Sequence, residues 1–586
     1  MSMTRYIFPA VVLVLLLLFF LGLPDLSITP IGSLSGQKNH RRQALDRTDL
    51  LLMLGICLVF GAVDFAMLGS LNDPHTYAML SEEEAVLTFE APGTPTEVRF
   101  FTGVGYGEYT ISLSQDGTNY FDVTHFTQDA GDVLRWEILT IETGWDASFA
   151  RITGTGNAWL GEVAFLSADG TKMQATSSVA ALCDEPETVR RTYDFYNSSY
   201  FDEIYHARTA WEHLNKVAPY EISHPPLGKI LISFGIALFG MSPFGWRFSG
   251  TLVGVLMLPV MYVFIKKMFG SRRAAFCGTL VFASDFMHFV QTRIATIDTY
   301  AVFFILLMYL FMYLFVTKDD WTMLALCGIS FGLGAASKWT CIYAGAGLAV
   351  LWALYWICNR RKGFRIFACN AFFCVAFFVI VPCAIYYLSY LPYGKAANVR
   401  GIFNREYWDI VISNQEYMFS YHSSLVAEHP YSSKWYQWML DIRPILYYLQ
   451  YFDDGTRSSF GAFLNPVLCW GGLLALFVLV YRAVWRRDGD AAFLLIGYLA
   501  QLLPWVFVPR LTFAYHYFPC SIFLVLALAY VFRLMEKGNR YAGFYISAFT
   551  GVSLVLFVVF YPALSGMRVD NAAASQLLGW LPTWPF

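Results

Sequence analysis

Residues 246–273 read WRFSGTLVGVLMLPVMYVFIKKMFGSRR, and this stretch decides the fold class. Its apolar run reaches the length of about 20 residues that a transmembrane helix needs. The basic residues Lys266, Lys267, Arg272 and Arg273 follow the run directly. Because Lys and Arg collect in cytoplasmic loops, we predict a membrane span whose end near residue 273 faces the cytoplasm.

The composition of the whole chain also indicates a membrane protein. Of its 586 residues, 57% are hydrophobic and only 14% are charged. Globular proteins carry about 25% charged residues, so this composition excludes a soluble enzyme, a disordered scaffold and a disulfide-rich secreted module. The 40 basic and 43 acidic residues balance to −3, which provides no basic field for nucleic acid. We predict a polytopic α-helical membrane protein that lies in the lipid bilayer and binds no nucleic acid.

Twelve stretches are predicted to span the membrane: 6–23, 50–70, 246–265, 274–290, 298–316, 321–337, 340–358, 367–388, 461–481, 491–508, 514–532 and 541–561. Six basic groups lie between them: Lys38, Arg41, Arg42 and Arg47; Lys266, Lys267, Arg272 and Arg273; Lys318; Arg360, Arg361, Lys362 and Arg365; Arg482, Arg486 and Arg487; Arg533, Lys537 and Arg540. Each group falls in an alternate loop, so all six can face the cytoplasm together. Both termini, residues 71–245 and residues 389–460 are then extracytoplasmic.

Two apolar stretches need separate treatment. Residues 227–240 are too short to cross a bilayer and would break the charge alternation, so we predict a helix in the interface. Residues 6–23 could instead form a signal peptide. Only Arg5 precedes them and no A-x-A-like cleavage site follows, so we predict a retained helix.

Residues 80–182 are polar and rich in Gly and Thr, with short alternating segments separated by turns such as Gln115-Asp116-Gly117. This pattern predicts a β-sandwich of about 100 residues. It resembles discoidin-like, carbohydrate-binding-module-like domains. Three tryptophans are expected to be exposed and could stack on a glycan, or they could fill the sandwich core: Trp136, Trp145 and Trp159.

Ionisable residues near the predicted outer membrane surface need an explanation, because inserting a charged side chain at membrane depth costs about 2.5–3.5 kcal/mol of free energy. One group contains the pair Asp202 and Glu203, followed by His224 and Lys229. Paired carboxylates can deprotonate an acceptor, bind a metal or cap a helix. The residues alone leave these alternatives open.

Two further groups lie at the same predicted level. One comprises Arg247, Asp285, His288, Gln291, Arg293 and Asp298. The spacing of its residues 285, 288 and 291 predicts one helix face, which either lines a polar cavity or forms a salt-bridge network. The other comprises Lys338, Trp339, His429, Arg443, Arg510 and His516. Any one of these could simply anchor a helix at the interface.

The order of the motifs is more specific than any one of them. They are Phe-Asp-Glu at 201–203, His-Pro-Pro-Leu-Gly-Lys at 224–229, Trp-Arg at 246–247, Gln-Thr-Arg-x4-Asp at 291–298, Ser-Lys-Trp at 337–339, His-Pro-Tyr-x-Ser-Lys-Trp at 429–435, Arg-Pro at 443–444 and Arg-x4-Tyr-His-Tyr at 510–517. This series resembles the protein O-mannosyltransferases, which are membrane glycosyltransferases of the C-type fold. The resemblance covers about residues 48–560, and the inserted β module and the extra first helix depart from it.

The resemblance implies a bacterial-type member with about 12 transmembrane helices and the following organisation: an extra helix and basic loop at 1–47, a first family-like helix at 48–75, the β-sandwich at 80–182, a catalytic outer loop at 183–245, a transmembrane core at 246–388, an outer loop at 389–460, a four-helix part at 461–562 and an outer tail at 563–586. The multi-pass protein would lie in the cell membrane, with its active site and β-sandwich extracytoplasmic.

The resemblance also implies the reaction: transfer of a hexose, with mannose the family's sugar, from polyprenyl phosphate to Ser or Thr hydroxyls of exported proteins or peptides. It makes Asp202 the base, with Glu203 beside it as an orienting group or a peptide contact. A leaving phosphate needs cations, for which Arg247, Lys229, Arg293 and Arg510 are candidates. We expect the remaining polar candidates around the sugar or the acceptor, or paired with one another: His224, Asp285, His288, Gln291, Asp298, Lys338, Trp339, His429, Arg443 and His516.

Other functions remain open at this point. No metal-ligand spacing occurs in the sequence, so we predict that no cofactor is required, although some enzymes of this fold class use a divalent cation. A transporter usually has internal repeats and charges near the midplane, which we do not find. A sugar receptor would need neither Asp202 nor the cations. A related transferase that acts on an envelope glycan or lipid would share the same chemistry and is the main alternative.

Overall fold

The computed structural model describes residues 6–27, 44–81, 84–190, 192–425 and 427–586. The predicted basic residues Lys38, Arg41 and Arg42 lie outside these ranges. The chain divides into two units. The helical unit comprises Met1–Ala66, Glu221–Leu231 and Gly250–Phe586, and the β unit comprises Met67–Tyr220 and Ile232–Ser249.

The described α-helices of six or more residues are α1 (Ile7–Leu21), α2 (Arg47–Phe65), α3 (Glu203–Asn215), α4 (Leu227–Phe239), α5 (Pro243–Phe269), α6 (Arg272–Ala283), α7 (Phe286–Thr292), α8 (Asp298–Lys318), α9 (Trp321–Ser337), α10 (Cys341–Cys358), α11 (Phe364–Val375), α12 (Val381–Leu388), α13 (Leu391–Ala396), α14 (Arg405–Ser424), α15 (Pro466–Trp485), α16 (Gly489–Leu502), α17 (Phe518–Gly538), α18 (Ala542–Phe560) and α19 (Asn571–Leu577). A π-helical turn, Ala376–Ile380, joins α11 to α12.

Side-chain caps set where many of these helices begin. Asp46, Ser271, Asp320, Asn465 and Asp488 each accept a hydrogen bond from a backbone N–H in the first turn of the helix that follows. Such caps satisfy N–H groups that have no partner inside the helix. The loop residues between the apolar runs therefore determine where each helix starts.

Nine helical segments within the described residues are long and apolar enough to cross a membrane: Arg47–Phe65, Pro243–Phe269, Asp298–Lys318, Cys341–Cys358, Phe364–Ala396, Pro466–Trp485, Gly489–Val506, Ala514–Gly538 and Ala542–Phe560. Three shorter apolar helices are α1, α4 and α9. The protein is thus a multi-pass membrane protein, and the number of about 12 spans stays a prediction. The short helix predicted at 227–240 is present as α4.

Two predicted spans have different bounds in the structure. The span predicted at 274–290 is two helices, α6 and α7, because Asp285 has an extended backbone and its carboxylate accepts the N–H of His288 at the start of α7. Asp285 therefore caps a helix, and the prediction that it lies on a helix face with His288 and Gln291 is wrong. The span predicted from residue 461 starts at Pro466, because Thr456–Ala462 is a β-strand.

The described residues of the β unit form nine strands: β1 (Ala85–Gly93), β2 (Pro95–Thr102), β3 (Gly107–Ser114), β4 (Phe121–Gln128), β5 (Arg135–Thr140), β6 (Ala147–Gly154), β7 (Leu160–Ser167), β8 (Lys172–Met173) and β9 (Ala175–Ser177). They form two antiparallel sheets, ordered β4-β3-β6-β1-β9 and β5-β2-β7-β8. One apolar core takes residues from both sheets, including Leu87 and Ile152 from the first and Phe100 and Phe165 from the second. The arrangement is a β-sandwich. The helical unit has a sheet of its own, Ile445–Tyr451, Thr456–Ala462 and Val569–Asp570.

The three tryptophans of the β unit have different environments. Trp136 is buried and stacks on Tyr193 with ring centroids 4.6 Å apart, so the expectation that it is exposed is wrong. Trp159 is half-buried and lies 6.2 Å from the Trp211 ring. Trp145 is also half-buried, beside the exposed Phe121. Glycan binding by this module, and its likeness to discoidin domains, stay predictions.

Asp73 is a buried carboxyl of the β unit that the sequence did not single out. Its side chain is 1% exposed, and burial raises its pKa to about 7, while Ser70 and Arg190 act in the opposite direction. An unfolded Asp has a pKa of about 3.9, so the folded form binds the proton more tightly. Stability is therefore lost as the pH rises from about 4 through 7.

We expect Asp73→Asn to stabilise the protein, and to do so more at pH 8 than at pH 5. The amide keeps the shape and carries no charge, so it avoids a desolvation cost of about 1–3 kcal/mol. Melting temperatures in detergent at the two pH values measure the effect. The matched control is Asp129→Asn, because Asp129 is an exposed carboxylate of the same unit. Equal melting temperatures for wild type and Asp73→Asn at pH 8 would contradict the burial argument.

Candidate active site

Glu203 and Arg247 form a buried ion pair in the β unit. Arg247 donates from Nε to Oε1 of Glu203 at 2.7 Å and from Nη2 to Oε2 at 2.8 Å. It also donates to the backbone carbonyls of Leu68, Phe195 and Ser198 at 2.8–2.9 Å. Both side chains are at most 1% exposed. A bidentate contact of this kind holds the carboxylate in one position and also compensates its charge.

Asp202 precedes the buried Glu203 and stays half-exposed at the start of α3. Phe201 before it has φ of +49°, in the left-handed region that a bulky residue seldom occupies. The backbone carbonyl of Asp202 accepts from the N–H groups of Tyr205 and His206. Its side chain makes no capping hydrogen bond within the described residues, so the alternative that this carboxylate simply caps a helix receives no support.

A second buried ion pair shapes the loop before α4, in the helical unit. Lys229 Nζ contacts the Glu221 carboxylate and donates to the carbonyls of Glu221 at 2.8 Å and His224 at 3.0 Å. Nδ1 of His224 lies 3.2 Å from Oε1 of the same Glu221. Lys229 thus holds the turn that contains Pro225 and Pro226, and Glu221 positions the His224 ring.

A cavity of about 380 Å³ in the helical unit brings together several predicted residues. We call it the cationic cavity. Its lining residues are His224, Lys338, Trp339, Thr340, Tyr343, His422, Ser423, Trp505, Phe507, Val508, Pro509 and Arg510. It combines aromatic walls with two cationic side chains, as sites for phosphorylated ligands do.

The two cations of the cavity have different partners. Lys338 Nζ donates to both carboxylate oxygens of Asp298, at 2.7 and 2.8 Å, and it lies 5.5 Å from the centroid of the Tyr515 ring. Arg510 is half-buried and makes no ion pair in the part of the chain that the structure describes. The cavity therefore carries net positive charge, and Arg510 supplies it.

Two histidines of the cavity are held in their neutral forms. The rings of His224 and His422 are 5.2 Å apart, and the ring of Trp339 is 6.1 Å from that of His422. Burial lowers the pKa of both, that of His422 to about 4, and the cations Arg510 and Lys338 act on it in the same direction. At neutral pH these rings offer hydrogen bonds without charge.

The predicted residues that follow α6 are packed inside the helical unit. Asp285 also accepts the N–H of Asn465 at 2.9 Å. The His288 ring lies between those of Phe60 and Phe282, with its Nε2 3.2 Å from the carbonyl of Gly254.

Gln291 and Arg293, the other two predicted residues that follow α6, bond to neighbouring segments of the helical unit. Gln291 accepts the hydroxyl of Tyr447 at 3.1 Å. Arg293 donates to the carbonyls of Asp64 and Ala66 at the end of α2. Within the described residues, none of the four that follow α6 lines the cationic cavity.

The remaining candidates do not line the cavity within the described residues, and one of them, His516, packs against its wall. The His516 ring packs 4.3 Å from that of Trp505 and 4.5 Å from that of Tyr515. His429 meets the ring of Phe513 at 5.0 Å. A separate contact, from Arg443 Nη2 to the carbonyl of Pro430 at 2.6 Å, holds the neighbouring loop.

Eight of the twelve lining residues were not among the predicted candidates, and His422, Tyr343 and Trp505 are three of them. His422 is held by a hydrogen bond to the carbonyl of Ser223 at 2.9 Å, although 199 positions separate the two in sequence. No local spacing could have indicated this contact. Tyr343 follows Ser-Lys-Trp by one helical turn, which was the available signal.

The described residues contain no group of three or more His, Cys, Asp or Glu side chains that could hold a metal ion. The expectation that the reaction needs no metal stays a prediction.

Two family models match the chain. The one described as "Dolichyl-phosphate-mannose-protein mannosyltransferase" matches residues 223–386, and the one described as "C-terminal four TMM region of protein-O-mannosyltransferase" matches residues 407–584. Together they span more than half of the sequence. Every residue that lines the cationic cavity falls in one of these two segments.

Several named relatives are similar to this chain, two of them over most of their length and a third over a shorter segment. A polyprenol-phosphate-mannose–protein mannosyltransferase of Mycobacterium tuberculosis is 25% identical over 459 residues, which cover 66% of this chain and 86% of the relative. The protein of the same name from Mycolicibacterium smegmatis is 26% identical over 457 residues, covering 66% and 87%. Protein O-mannosyltransferase 1 of Drosophila pseudoobscura is 28% identical over 213 residues, covering 31% of this chain and 23% of the relative.

A solved structure supports the fold class. The S. cerevisiae protein O-mannosyltransferase Pmt1-Pmt2 complex bound to the sugar donor superposes with a TM-score of 0.58, at 13% identity, over 66% of this chain and 89% of that chain. At this identity the likeness shows the fold alone. The predicted C-type glycosyltransferase fold is confirmed.

We expect His422→Gln to weaken the pH dependence of stability. With a folded pKa of about 4 and an unfolded pKa of about 6.5, the unfolded chain binds more protons between these values, so wild-type stability falls as the pH drops through this window. The fall in melting temperature from pH 7 to pH 5 should be smaller in the variant. His125→Gln, at an exposed histidine of the β unit, is the control. An unchanged slope in His422→Gln would show that His422 is not held neutral.

Proposed function

The chain belongs to the protein O-mannosyltransferase family, and we propose that it moves mannose from a polyprenyl-phosphate donor to Ser or Thr hydroxyls of exported proteins. The main support for this proposal is that the residues lining the cationic cavity all lie in the two segments that match the family models. Both matched segments contribute to a single cavity, and that cavity has the charge that a phosphorylated sugar donor requires.

We assign the donor phosphate to Arg510 and Lys338. A departing phosphate accumulates negative charge, and pre-positioned cations stabilise that charge without reorganising. Arg510 has no ion pair among the described residues, and its planar guanidinium suits phosphate oxygens. Lys338 is aimed by Asp298 and by the Tyr515 ring. The neutral rings of His224 and His422 add hydrogen bonds.

The other cations have roles in holding the protein together. Arg247 is bonded to Glu203 and to three carbonyls, so we assign it to positioning Glu203 instead of binding phosphate. Lys229 is bonded to Glu221 and the loop around it. Arg293 holds the end of α2. These contacts narrow the four phosphate candidates from the sequence to one, Arg510.

We assign Asp202 as the base, as the family motif implies. The half-exposed Asp202 carboxylate can be reached by a hydroxyl, whereas the Glu203 carboxylate beside it is fully buried against Arg247. In the reaction the hydroxyl oxygen attacks the anomeric carbon, the bond from that carbon to the phosphate oxygen breaks, and the proton passes to the carboxylate. A single displacement without a covalent sugar–enzyme intermediate inverts the anomeric centre.

The charge pattern supports an extracytoplasmic site. The basic groups at 266–273 and 360–365 end or follow helices whose other ends lie at candidate residues, and the group at 482–487 precedes α16, beyond whose other end Arg510 lies. Positive loops face the cytoplasm, so we place the cavity and the β unit on the outer side of the cell membrane.

Asp202→Asn is expected to reduce transfer by about 100-fold or more, because a positioned base contributes about 10²–10⁴ in rate. The assay combines purified protein, polyprenyl-phosphate-mannose and a Ser/Thr-rich peptide, with hexosylated peptide detected by mass. Donor binding and melting temperature should stay at the wild-type values. Glu203→Gln is the contrasting variant, since loss of the ion pair should lower the melting temperature as well as the rate.

Transfer that survives in Asp202→Asn would move the base elsewhere. Absence of peptide transfer in wild type, with hexose appearing on a supplied envelope glycan or lipid, would keep the fold and replace the acceptor. That result would favour the related transferase considered above.

Arg510→Gln is expected to raise the KM for the donor about tenfold, which corresponds to about 1.4 kcal/mol of lost phosphate binding. The KM for the peptide should change little. Arg540→Gln removes an arginine from the loop before α18 and is the matched control for the lost charge. An unchanged donor KM in Arg510→Gln would place the phosphate outside the cationic cavity.

A further inference from the structure

Helix α14 has an apolar face that packs against the protein. Tyr407, Val411, Asn414 and Met418 recur at helical spacing and are buried. Asn414 is tied down from both sides, because it accepts the hydroxyl of Tyr390 at 2.6 Å and donates to the carbonyl of Ile222 at 2.9 Å. The orientation of α14 about its own axis is therefore set.

The same helix has a second apolar face that is exposed. Trp408, Ile412 and Phe419 are 54%, 39% and 70% exposed, and their spacing of four and seven residues places them in one stripe. We call it the outer stripe of α14. Phe403, just before the helix, is 96% exposed.

The charged residues of α14 keep clear of the outer stripe. Arg405, Asp409 and Glu416 are exposed and share the neighbouring sector of the helix, and the exposed Glu406 lies still farther from the stripe. A helix with one face on protein, one exposed apolar stripe and one charged sector has the pattern of a helix at a lipid–water boundary.

The outer stripe lies beside a long apolar span that has little buried surface. The span Phe364–Ala396 has 33 residues, and only 11% of its most apolar window is buried. Its continuous part from α11 through α12, residues 364–388, is about 38 Å long at 1.5 Å per residue, which exceeds a hydrocarbon core of about 30 Å, so its last turns reach the membrane surface. There the ring of Tyr387 lies 5.7 Å from that of Trp408, and Leu388 and Leu391 are 43% and 40% exposed.

We propose that α14 lies in the interface of the bilayer, with Phe403 and the outer stripe inserted at the boundary between headgroups and acyl chains. Trp and other aromatic residues favour this level, and the charged sector then faces water. The proposal requires only that the chain spans a membrane, and it goes beyond the reaction proposed above.

This placement would fix the cationic cavity at the membrane surface. Trp339, which lines the cavity, donates from Nε1 to the hydroxyl of Tyr386 at 3.0 Å, and that hydroxyl donates to Gln415 of α14 at 2.7 Å. His422, on the last turn of α14, lines the cavity itself. The depth of α14 in the interface would therefore determine where the cavity lies relative to the membrane surface.

The test is photo-crosslinking of the full chain in nanodiscs of phosphatidylcholine and phosphatidylglycerol. Benzoylphenylalanine is introduced in place of Phe419, and in a second variant in place of Ile412, so that one poorly folded variant does not decide the outcome. The matched control is Ser420, the next residue of the helix, which is exposed on the charged side. Melting temperatures show that each variant is folded.

We expect adducts of phospholipid mass at positions 419 and 412, with about tenfold less at 420, because only the outer stripe would reach acyl chains. Equal lipid adducts at all three positions would overturn the proposal. So would adducts at 419 and 412 with a Ser/Thr-rich peptide or a second copy of the chain in place of lipid. The readout does not depend on transfer activity, so its failure is distinct from failure of the proposed reaction.

Discussion

Buried charge is the constraint on which this architecture depends. In a bundle surrounded by lipid, a charged group is tolerated only where another group compensates it. Arg247 is matched by Glu203, Lys229 by Glu221, Lys338 by Asp298 and Arg482 by Asp488. Two of these pairs, Arg247–Glu203 and Lys338–Asp298, join residues 44 and 40 positions apart, and the other two hold local turns. By contrast, the half-buried Arg510 makes no ion pair within the described residues, so its charge is available to bind an anionic ligand.

The pairing also changes how the candidate residues are interpreted. Arginines near a membrane surface all suit phosphate by chemistry, yet a guanidinium whose hydrogen bonds end on protein oxygens is committed to structure. Arg247 and Arg293 are of this kind. Exposure separates the neighbouring carboxylates, since Glu203 is fully buried against Arg247 while Asp202 is half-exposed. Adjacent residues of one motif thereby acquire different roles.

The sequence predicted much of the molecule because its signals are local. Apolar length and basic loops indicated a multi-pass protein, and alternation with turns indicated the β module at 80–182. Predictions failed where a single contact overrides a pattern. Asp285 ends one helix and caps the next, and Trp136 stacks on Tyr193 inside the β unit. A hydropathy pattern does not show that a carboxylate will accept a backbone N–H and so start a new helix. Nor does it show whether a given tryptophan will be buried or exposed.

What the sequence by itself determined is the membrane class, the inserted β module and the set of residues with the chemistry for the reaction, because residue type and short spacing carry that information. Only the tertiary structure decided which of those residues act together. His422 meets Ser223, and Lys338 meets Asp298, across 199 and 40 positions of chain. Such contacts depend on how helices pack, and helix packing is set by the shapes of whole buried faces.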